Sequence, residues 1–529
     1  MGRGFERHAR TFTVLTFVSR LTGFVRDALL ARVFGAGMAM DAFNFGFQVP
    51  NLFRRLFGEG ALTASFLPIY TKLDRDHPET ARQFAGLMLA LLAILLSGIT
   101  IVGEVALFLI RDLTSTPPLA MQLLMVMLPY MPLVCLVALV GAMLQTHGKF
   151  GASAASPIIL NVCIVAAGLY GSFYASNAGF GPHLDPVPHI EIVAWSVIVA
   201  GVMQLAWSLW SLRHHRIRPH LDLQANWPHM KDVLVKALPM LLGLGIFQVN
   251  TFVDGLVASY QTTVGPTIFG IEYPLPAGSM TVLSYGQRLY EFPLGVFGVA
   301  IATAIFPALA RESNEPERFL GTLRRGMRLS FFIGFPASVG LVLVRDHLSA
   351  AIFQGGNFSH EDVQKVGFVL AMYAPAIWAY SMQQLATRAF YAVGDSTTPV
   401  KVSVWMVVLN FALNVTLIWT PLGVGGLALS TAIAAVVQIV IMTRIMHRRF
   451  GVIMDAPTRA SFARTVVASA VMAAAAWLAS IAFAGQNTWT WSVAATLVLA
   501  GVGIVTYVTA ARMLKMPELG WAIRGKSPD

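Results

Sequence analysis

Apolar residues run on along this chain rather than alternating with polar ones. FAGLMLALLAILLSGITIVGEVALFLI, SFARTVVASAVMAAAAWLASIAFAG and WSVAATLVLAGVGIVTYVTAA each exceed the ~20 residues an α-helix needs to cross ~30 Å of hydrocarbon. A membrane barrel would instead show ~10-residue segments of alternating polarity, so the runs predict helices. Counted in this way there are about fourteen, at roughly 10–34, 38–70, 83–110, 119–146, 156–176, 190–212, 233–260, 279–310, 323–345, 366–392, 399–420, 424–446, 461–484 and 489–512. The implied fold class is an all-α polytopic membrane protein. An even number of crossings puts both termini on one side.

Composition sharpens the class. Of 529 residues 56% are hydrophobic and 12% charged, and mean hydropathy is +0.66, whereas soluble domains carry about a quarter charged residues. The N-terminal MGRGFERHAR is basic, but no short apolar region ending in a small-residue cleavage site comes after it, so the first helix is expected to stay in the mature protein. The two cysteines, Cys135 and Cys163, fall inside apolar runs and read as packing residues rather than a disulfide or metal pair.

A net charge of +11 raises nucleic acid as a partner, and the placement of the charges removes it. RHHRIRPHLDLQANWPHMK, RESNEPERFLGTLRRGMR, HRRFGVIMDAPTRASFAR and RMLKMPELGWAIRGK are basic loops or tail. SNAGFGPHLDPVPHIE, QTTVGPTIFGIEYPLPAGS and GQNTWTW hold no Lys or Arg. By the positive-inside rule the basic set and both termini are cytoplasmic. About 28 of the 37 Lys and Arg fall there, and about three, Arg111, Arg345 and Lys365, fall on the other side. Arg20, Arg26, Arg32, Arg54, Arg55 and Arg288 remain, within or at the ends of the predicted helices.

An arginine at mid-bilayer costs about 2.5–3.5 kcal/mol on insertion scales. Arg32 lies near a helix end and reads as snorkelling or as a structural ion pair. The other five read as lining a cavity. On an ideal helix Arg20 and Asp27 share a face, and Arg20 and Arg26 do so only if the helix bends, for which Gly23 is placed. Arg55 and Glu59 are one turn apart, Asp41 opens the second helix, and Glu291 lies three residues after Arg288. These carboxylates offer partial neutralisation of a cationic cavity, as burial requires.

The halves of the chain echo each other. EGALTASFLPIY (59–70) resembles GVAIATAIFPALA (298–310), and Pro157 with Asn161 after it is matched by Pro399 with Asn410 after it. The echo implies two six-helix lobes, at 1–218 and 219–450, with an appended helix pair and cytoplasmic tail at 451–529. Related lobes around a central site are a transporter architecture. A cavity rich in guanidinium selects a phosphate-bearing anion, because the planar fork matches phosphate oxygens and stays charged in low dielectric. Neither a Walker A sequence nor GxSxG nor HExxH occurs, so nothing points to an ATPase or hydrolase, and no catalytic residue is assigned.

SRLTGFVRDALLARVFGAGMAMDAF, PNLFRRLFGEGALTASFLPIY and YGQRLYEFPLGVFGVAIATAIFPALAR resemble the MurJ (MviN) family of lipid II flippases, in the multidrug/oligosaccharidyl-lipid/polysaccharide exporter superfamily. The resemblance implies a multi-pass transporter of the bacterial inner membrane. It would carry undecaprenyl-diphosphate-linked peptidoglycan precursor to the periplasmic leaflet by alternating access. Arg20, Arg26, Asp41, Arg54, Arg55 and Arg288 fall on the family's substrate positions, with Asp27, Glu59 and Glu291 as neighbours. The implied partners are lipid II, membrane lipids and other cell-wall synthesis proteins. The alternative is an exporter of another lipid-linked oligosaccharide or of amphiphilic compounds. Helices thirteen and fourteen match the family's groove for the polyprenyl tail.

No bound cofactor is implied, and the energy source is left between membrane potential and a sodium ion. Some members hold sodium at positions matching Asp254, Asn410, Asn414 and Ser430, near the Gly426 carbonyl. Asn414 stands where those members have a second carboxylate, so a structural polar cluster is the competing reading. Gln287 replaces an Asp found in many relatives. The insertion TTVGPTIFGIEYPLP between helices seven and eight is longer than usual and has no assigned function.

Overall fold

The computed structural model describes residues 2–58, 61–113, 118–177, 186–215, 217, 219–220, 227–485 and 488–524. In chain order the helices are α1 (Gly2–Phe34), α2 (Met38–Phe53), α3 (Ala61–Asp76), α4 (Pro78–Leu113), α5 (Leu119–Met127), α6 (Tyr130–Thr146), α7 (Gly151–Asn177), α8 (Val187–His214), α9 (Trp227–Ala258) and α10 (Tyr260–Thr263). A two-stranded hairpin, β1 (Thr267–Ile268) and β2 (Ile271–Glu272), comes next. It leads to α11 (Ser279–Pro293), α12 (Val299–Arg311), α13 (Pro316–Phe353), α14 (His360–Ala392), α15 (Thr397–Leu417), α16 (Val424–Phe450), α17 (Ala456–Ser480), α18 (Trp489–Met513) and α19 (Pro517–Arg524).

Each of the fourteen predicted segments is helical over most of its described length. Among the described residues, nine helical stretches are long and apolar enough to cross a membrane. The helices that carry Arg20, Arg26, Arg54, Arg55, Asp254 and Arg288 are not among those nine.

Three predicted helices are interrupted in their interior. The segment at 119–146 breaks at Leu128–Pro129, where a turn separates α5 from α6. Pro129 supplies no N–H to continue the i→i−4 ladder. The second predicted helix widens into a π-turn at Arg54–Gly58, and the eighth does the same at Leu294–Gly298. Both π-turns sit between a helix-interior proline, Pro50 or Pro293, and a trailing helix that holds Pro68 or Pro307. The sequence echo of 59–70 and 298–310 thus has a counterpart in backbone construction.

The chain divides into two compact units, Met1–Thr281 and Val282–Asp529. The first has its core where Phe66 stacks between Tyr70 and Phe84, at 5.1 and 5.3 Å, with Cys135, Met131 and Leu139 also buried. Tyr130 donates to Gln204 at 3.1 Å, which donates to the Ser156 carbonyl at 2.6 Å, so α6, α7 and α8 share one satisfied polar link. In the second unit α13, α14 and α16 bury Met327, Phe390 and Met442. The α17/α18 pair docks on α13 through Phe331 against Phe462 at 4.2 Å and Tyr507 donating to the Phe332 carbonyl at 2.6 Å. The tail helix α19 closes that corner: the buried Glu518 pairs with Arg328 at 2.5 Å and accepts from Ser461 at 2.6 Å, and Arg328 lies 5.0 Å from the Trp521 ring.

Candidate functional site

Four of the predicted substrate arginines lie in the first unit. Arg26 on α1 is buried, and its Nε and Nη2 donate to Asp27 Oδ1 at 2.9 and 2.7 Å. Its Nη1 donates to Asn161 Oδ1 on α7 at 2.9 Å. The Asn161 amide in turn donates to Thr22 Oγ1 at 3.0 Å and to the Ser19 carbonyl at 3.2 Å. A buried ion pair is tolerated when its remaining polar atoms are satisfied in this way. An ideal helix puts Arg26 and Asp27 about 100° apart. The long arginine stem bends back across that angle, so Asp27 serves Arg26 rather than only sharing a face with Arg20.

Arg20, two turns earlier on α1, is exposed, and among the described residues no hydrogen bond or ion pair reaches it. Arg32 is also exposed. Arg54 and Arg55 are half-buried and open the first π-turn. Arg54 Nε donates to Asn51 Oδ1 at 2.9 Å, and Arg55 Nη1 to Gln248 Oε1 on α9 at 3.3 Å. The wider winding of a π-turn shifts the angular spacing of its side chains, and these adjacent guanidiniums reach different elements. The turn is held by Thr63, whose hydroxyl donates to the Gly58 carbonyl. Glu59, the predicted partner of Arg55, lies outside the described residues.

Asp41 is fully buried at the start of α2. Its Oδ1 accepts from the Thr281 amide at 2.8 Å and the Thr281 hydroxyl at 2.6 Å, and its Oδ2 accepts from the Gly278 amide at 2.7 Å. Asn44 donates to the same hydroxyl at 3.2 Å. Gly278 and Thr281 lie at the N-terminal turn of α11, whose first amides have no partner within the helix. Asp41 caps that helix from another one. Gly278 has φ +96°, and a Cβ there would lie 2.1 Å from the Ala36 carbonyl oxygen, so only glycine fits the clasp.

In the second unit Arg288 is exposed on α11. Glu291, expected to neutralise it, accepts from Gln287 Nε2 one turn away at 2.8 Å. Gln287 therefore engages the carboxylate nearest to Arg288 in sequence.

The sodium positions are divided: Asp254 belongs to the first unit, and Asn410, Asn414 and Ser430 to the second. Asp254 is buried and takes a hydrogen bond from Asn250 at 3.5 Å. Asn414 Nδ2 donates to Asn410 Oδ1 at 2.9 Å, while Asn410 Nδ2 reaches Ser430 Oγ at 3.4 Å and Thr431 Oγ1 at 3.3 Å. The Ser430 hydroxyl donates to Asn414 Oδ1. A hard cation needs oxygens free to turn toward it. Both amide oxygens here accept from a neighbour, and both amide nitrogens point into the cluster.

Sequence reasoning missed Asn161, Gln248 and Thr281, the neutral residues that hold the charged ones. Asn161 alone had left a signal, as one half of the Pro157/Asn161 and Pro399/Asn410 echo. Both asparagines are buried hydrogen-bond hubs.

A family model described as lipid II flippase MurJ matches residues 30–499. A probable lipid II flippase MurJ of Rhizobium tropici is 31% identical over 86% of this chain and 84% of its own length. One of Vibrio cholerae is 30% identical over 95% and 94%. Among solved structures, a lipid II flippase MurJ in an inward closed conformation has a TM-score of 0.75 at 22% identity, covering 95% of this chain and 98% of its own. An inward-facing multidrug resistance MATE transporter of the MOP superfamily has a TM-score of 0.64 at 13% identity, covering 85% and 99%. The fold is the one these transporters share, the chain is a multi-pass membrane protein, and by sequence it belongs to the lipid II flippase MurJ family.

Proposed function

We propose that this protein moves lipid II from the cytoplasmic to the periplasmic leaflet of a bacterial inner membrane by alternating access, with both termini cytoplasmic. The observation that carries the reading is Arg20, an exposed guanidinium on a membrane helix while the nearby Asp27 is committed to Arg26. A diphosphate is the complement of such a group. In this reading Arg20, Arg54, Arg55 and Arg288 engage the anionic headgroup, and Arg26 sets the position of α1 against α7.

The direct test is depletion of the protein in its host, with labelled lipid II cleaved by an enzyme confined to the periplasm. Cleavage should stop while precursor accumulates inside. Arg20→Ala should be made at normal abundance and slow cleavage by about 10–100-fold, the equivalent of losing one charge-assisted contact of about 1.5–3 kcal/mol. Undiminished cleavage on depletion would overturn the substrate assignment and direct the test to other lipid-linked sugars.

The closed hydrogen-bonding of Asn410, Asn414 and Ser430 supports a structural role for that cluster and membrane potential as the energy source. An anion moving outward from a negative interior gains about 2.3 kcal/mol per charge per 100 mV. Exchanging sodium for potassium at constant ionic strength and potential should leave cleavage unchanged, and collapsing the potential should slow it. A sodium requirement would refute the structural reading.

A further inference from the structure

The insertion between α9 and α11 folds into an ordered device whose tip makes no sense in water. Ile268 pairs with Ile271 and Thr267 with Glu272, leaving a two-residue turn of Phe269 (φ 50°) and Gly270 (φ 81°). Positive φ at both central positions is the type I′ hairpin turn, which favours Asn-Gly because short polar residues and glycine tolerate that region. A bulky phenylalanine at the first position is an outlier that the surroundings must hold in place. Phe269 is 99% exposed, and Val264 and Ile271 beside it are 66% and 60% exposed.

The base of the hairpin is fixed. Tyr260 and Tyr273 stack at 4.3 Å, Tyr273 donates to the Val257 carbonyl at the end of α9 at 2.8 Å, and Tyr260 donates to the Thr267 carbonyl at 3.2 Å. Two residues per strand at about 3.4 Å each keep the tip within about 10 Å of that brace. The headgroup zone of a bilayer is about 5–8 Å deep on each side. The tip thus stays within about the thickness of a headgroup layer from the end of α9.

Chemistry selects the same occupant. Residues 259–278 hold no Lys or Arg and one carboxylate, Glu272. Exposed apolar side chains run on from Val249 and Leu256 of α9 through Val264 to Phe269, so the tip continues an exposed apolar run. Aromatic side chains collect at membrane interfaces. A protein partner would need about 800 Å² on each side, far more than three side chains provide.

We propose that this hairpin is a membrane foot that dips Phe269, with Ile271 and Val264, into the interface of the extracytoplasmic leaflet and ties the α9–α11 connection to the bilayer. The inference rests on the membrane topology and not on the identity of the transported lipid.

The test uses the full chain with Cys135→Ala and Cys163→Ala, a single cysteine at 269, and a bimane label, in phosphatidylcholine/phosphatidylglycerol vesicles. Labels at Asn314→Cys, on the α12–α13 turn, and Val408→Cys, on the exposed face of α15, give the aqueous and lipid references. A label at 269 should be quenched by doxyl lipids nearly as well as one at 408, and by iodide severalfold less than one at 314. Free iodide quenching without doxyl quenching would overturn the proposal. Protection from both quenchers would also overturn it, showing the tip covered by a second copy of the chain. As a check independent of the label at the tip, a label at Ile271→Cys should lose its doxyl quenching on Phe269→Asn, a change that favours the turn itself.

Discussion

Arg26→Ala is expected to remove both stability and transport, with thermal unfolding in detergent reporting a loss of about 3–5 kcal/mol. The fold loses more than a positive charge. Asp27 stays buried beside a vacated site, and Asn161 Oδ1 loses the donor that joined α7 to α1. Removing both charges separates the two consequences. Arg26→Leu with Asp27→Leu leaves no uncompensated ion, so most of the stability should return, short by about 1 kcal/mol for the Asn161 oxygen. Growth support should stay lost, because leucine does not set α1 as the arginine does. If Arg26→Ala melted at the parent temperature, the pair would not be holding α1 to α7. If the double variant supported growth, a cation at this position would not be needed for transport.

The fold was legible in the sequence because the bilayer leaves so few solutions. Long apolar runs without alternation admit only helices, and loop charge then orders them. The boundaries that moved did so for local backbone reasons. Leu128–Pro129 ends α5 inside an apolar run, yet Pro68, Pro157, Pro307, Pro336 and Pro375 lie inside continuous helices. A proline alone does not say whether a membrane helix breaks, since neighbouring groups can satisfy the freed carbonyl. The π-turns at Arg54–Gly58 and Leu294–Gly298 were invisible to a 3.6-residue period for the same reason. They appeared only indirectly, as the repeated segments that begin where they end.

At the candidate site, charge was legible and partnership was not. An arginine inside an apolar run declares itself. Its acceptor was sought among carboxylates at helical spacing, and that rule gave Asp27 to Arg20 and Glu291 to Arg288. The structure gives Asp27 to Arg26, one residue away, and brings Gln287 to Glu291. The deciding groups are distant neutral amides such as Asn161, which arrive with another helix and leave no mark in the spacing around the charge.

Asp41 is the case where placement and assigned role diverge, and the second large effect is expected there. Asp41→Ala should destabilise the protein by about 3–5 kcal/mol, because the Gly278 and Thr281 amides and the Thr281 hydroxyl all lose a charged acceptor inside a buried site. Asp41→Asn should lose about half as much. Its oxygen still accepts from Thr281, but its amide nitrogen then faces the Gly278 N–H, donor against donor. Thr281→Val, which removes only the hydroxyl, should cost about 1 kcal/mol and leave Asn44 short of an acceptor. The effects of Asp41→Ala and Thr281→Val should combine to less than their sum, as expected for residues sharing one interaction. A carboxylate whose part is to touch the transported headgroup would behave in the opposite way. Asp41→Asn would then melt at the parent temperature, lose transport, and add independently to Thr281→Val. A fall in melting temperature that tracks the loss of growth support across the three variants would instead make Asp41 the fastening between the start of α2 and the first turn of α11. Its contribution to transport would then be to set when that fastening opens.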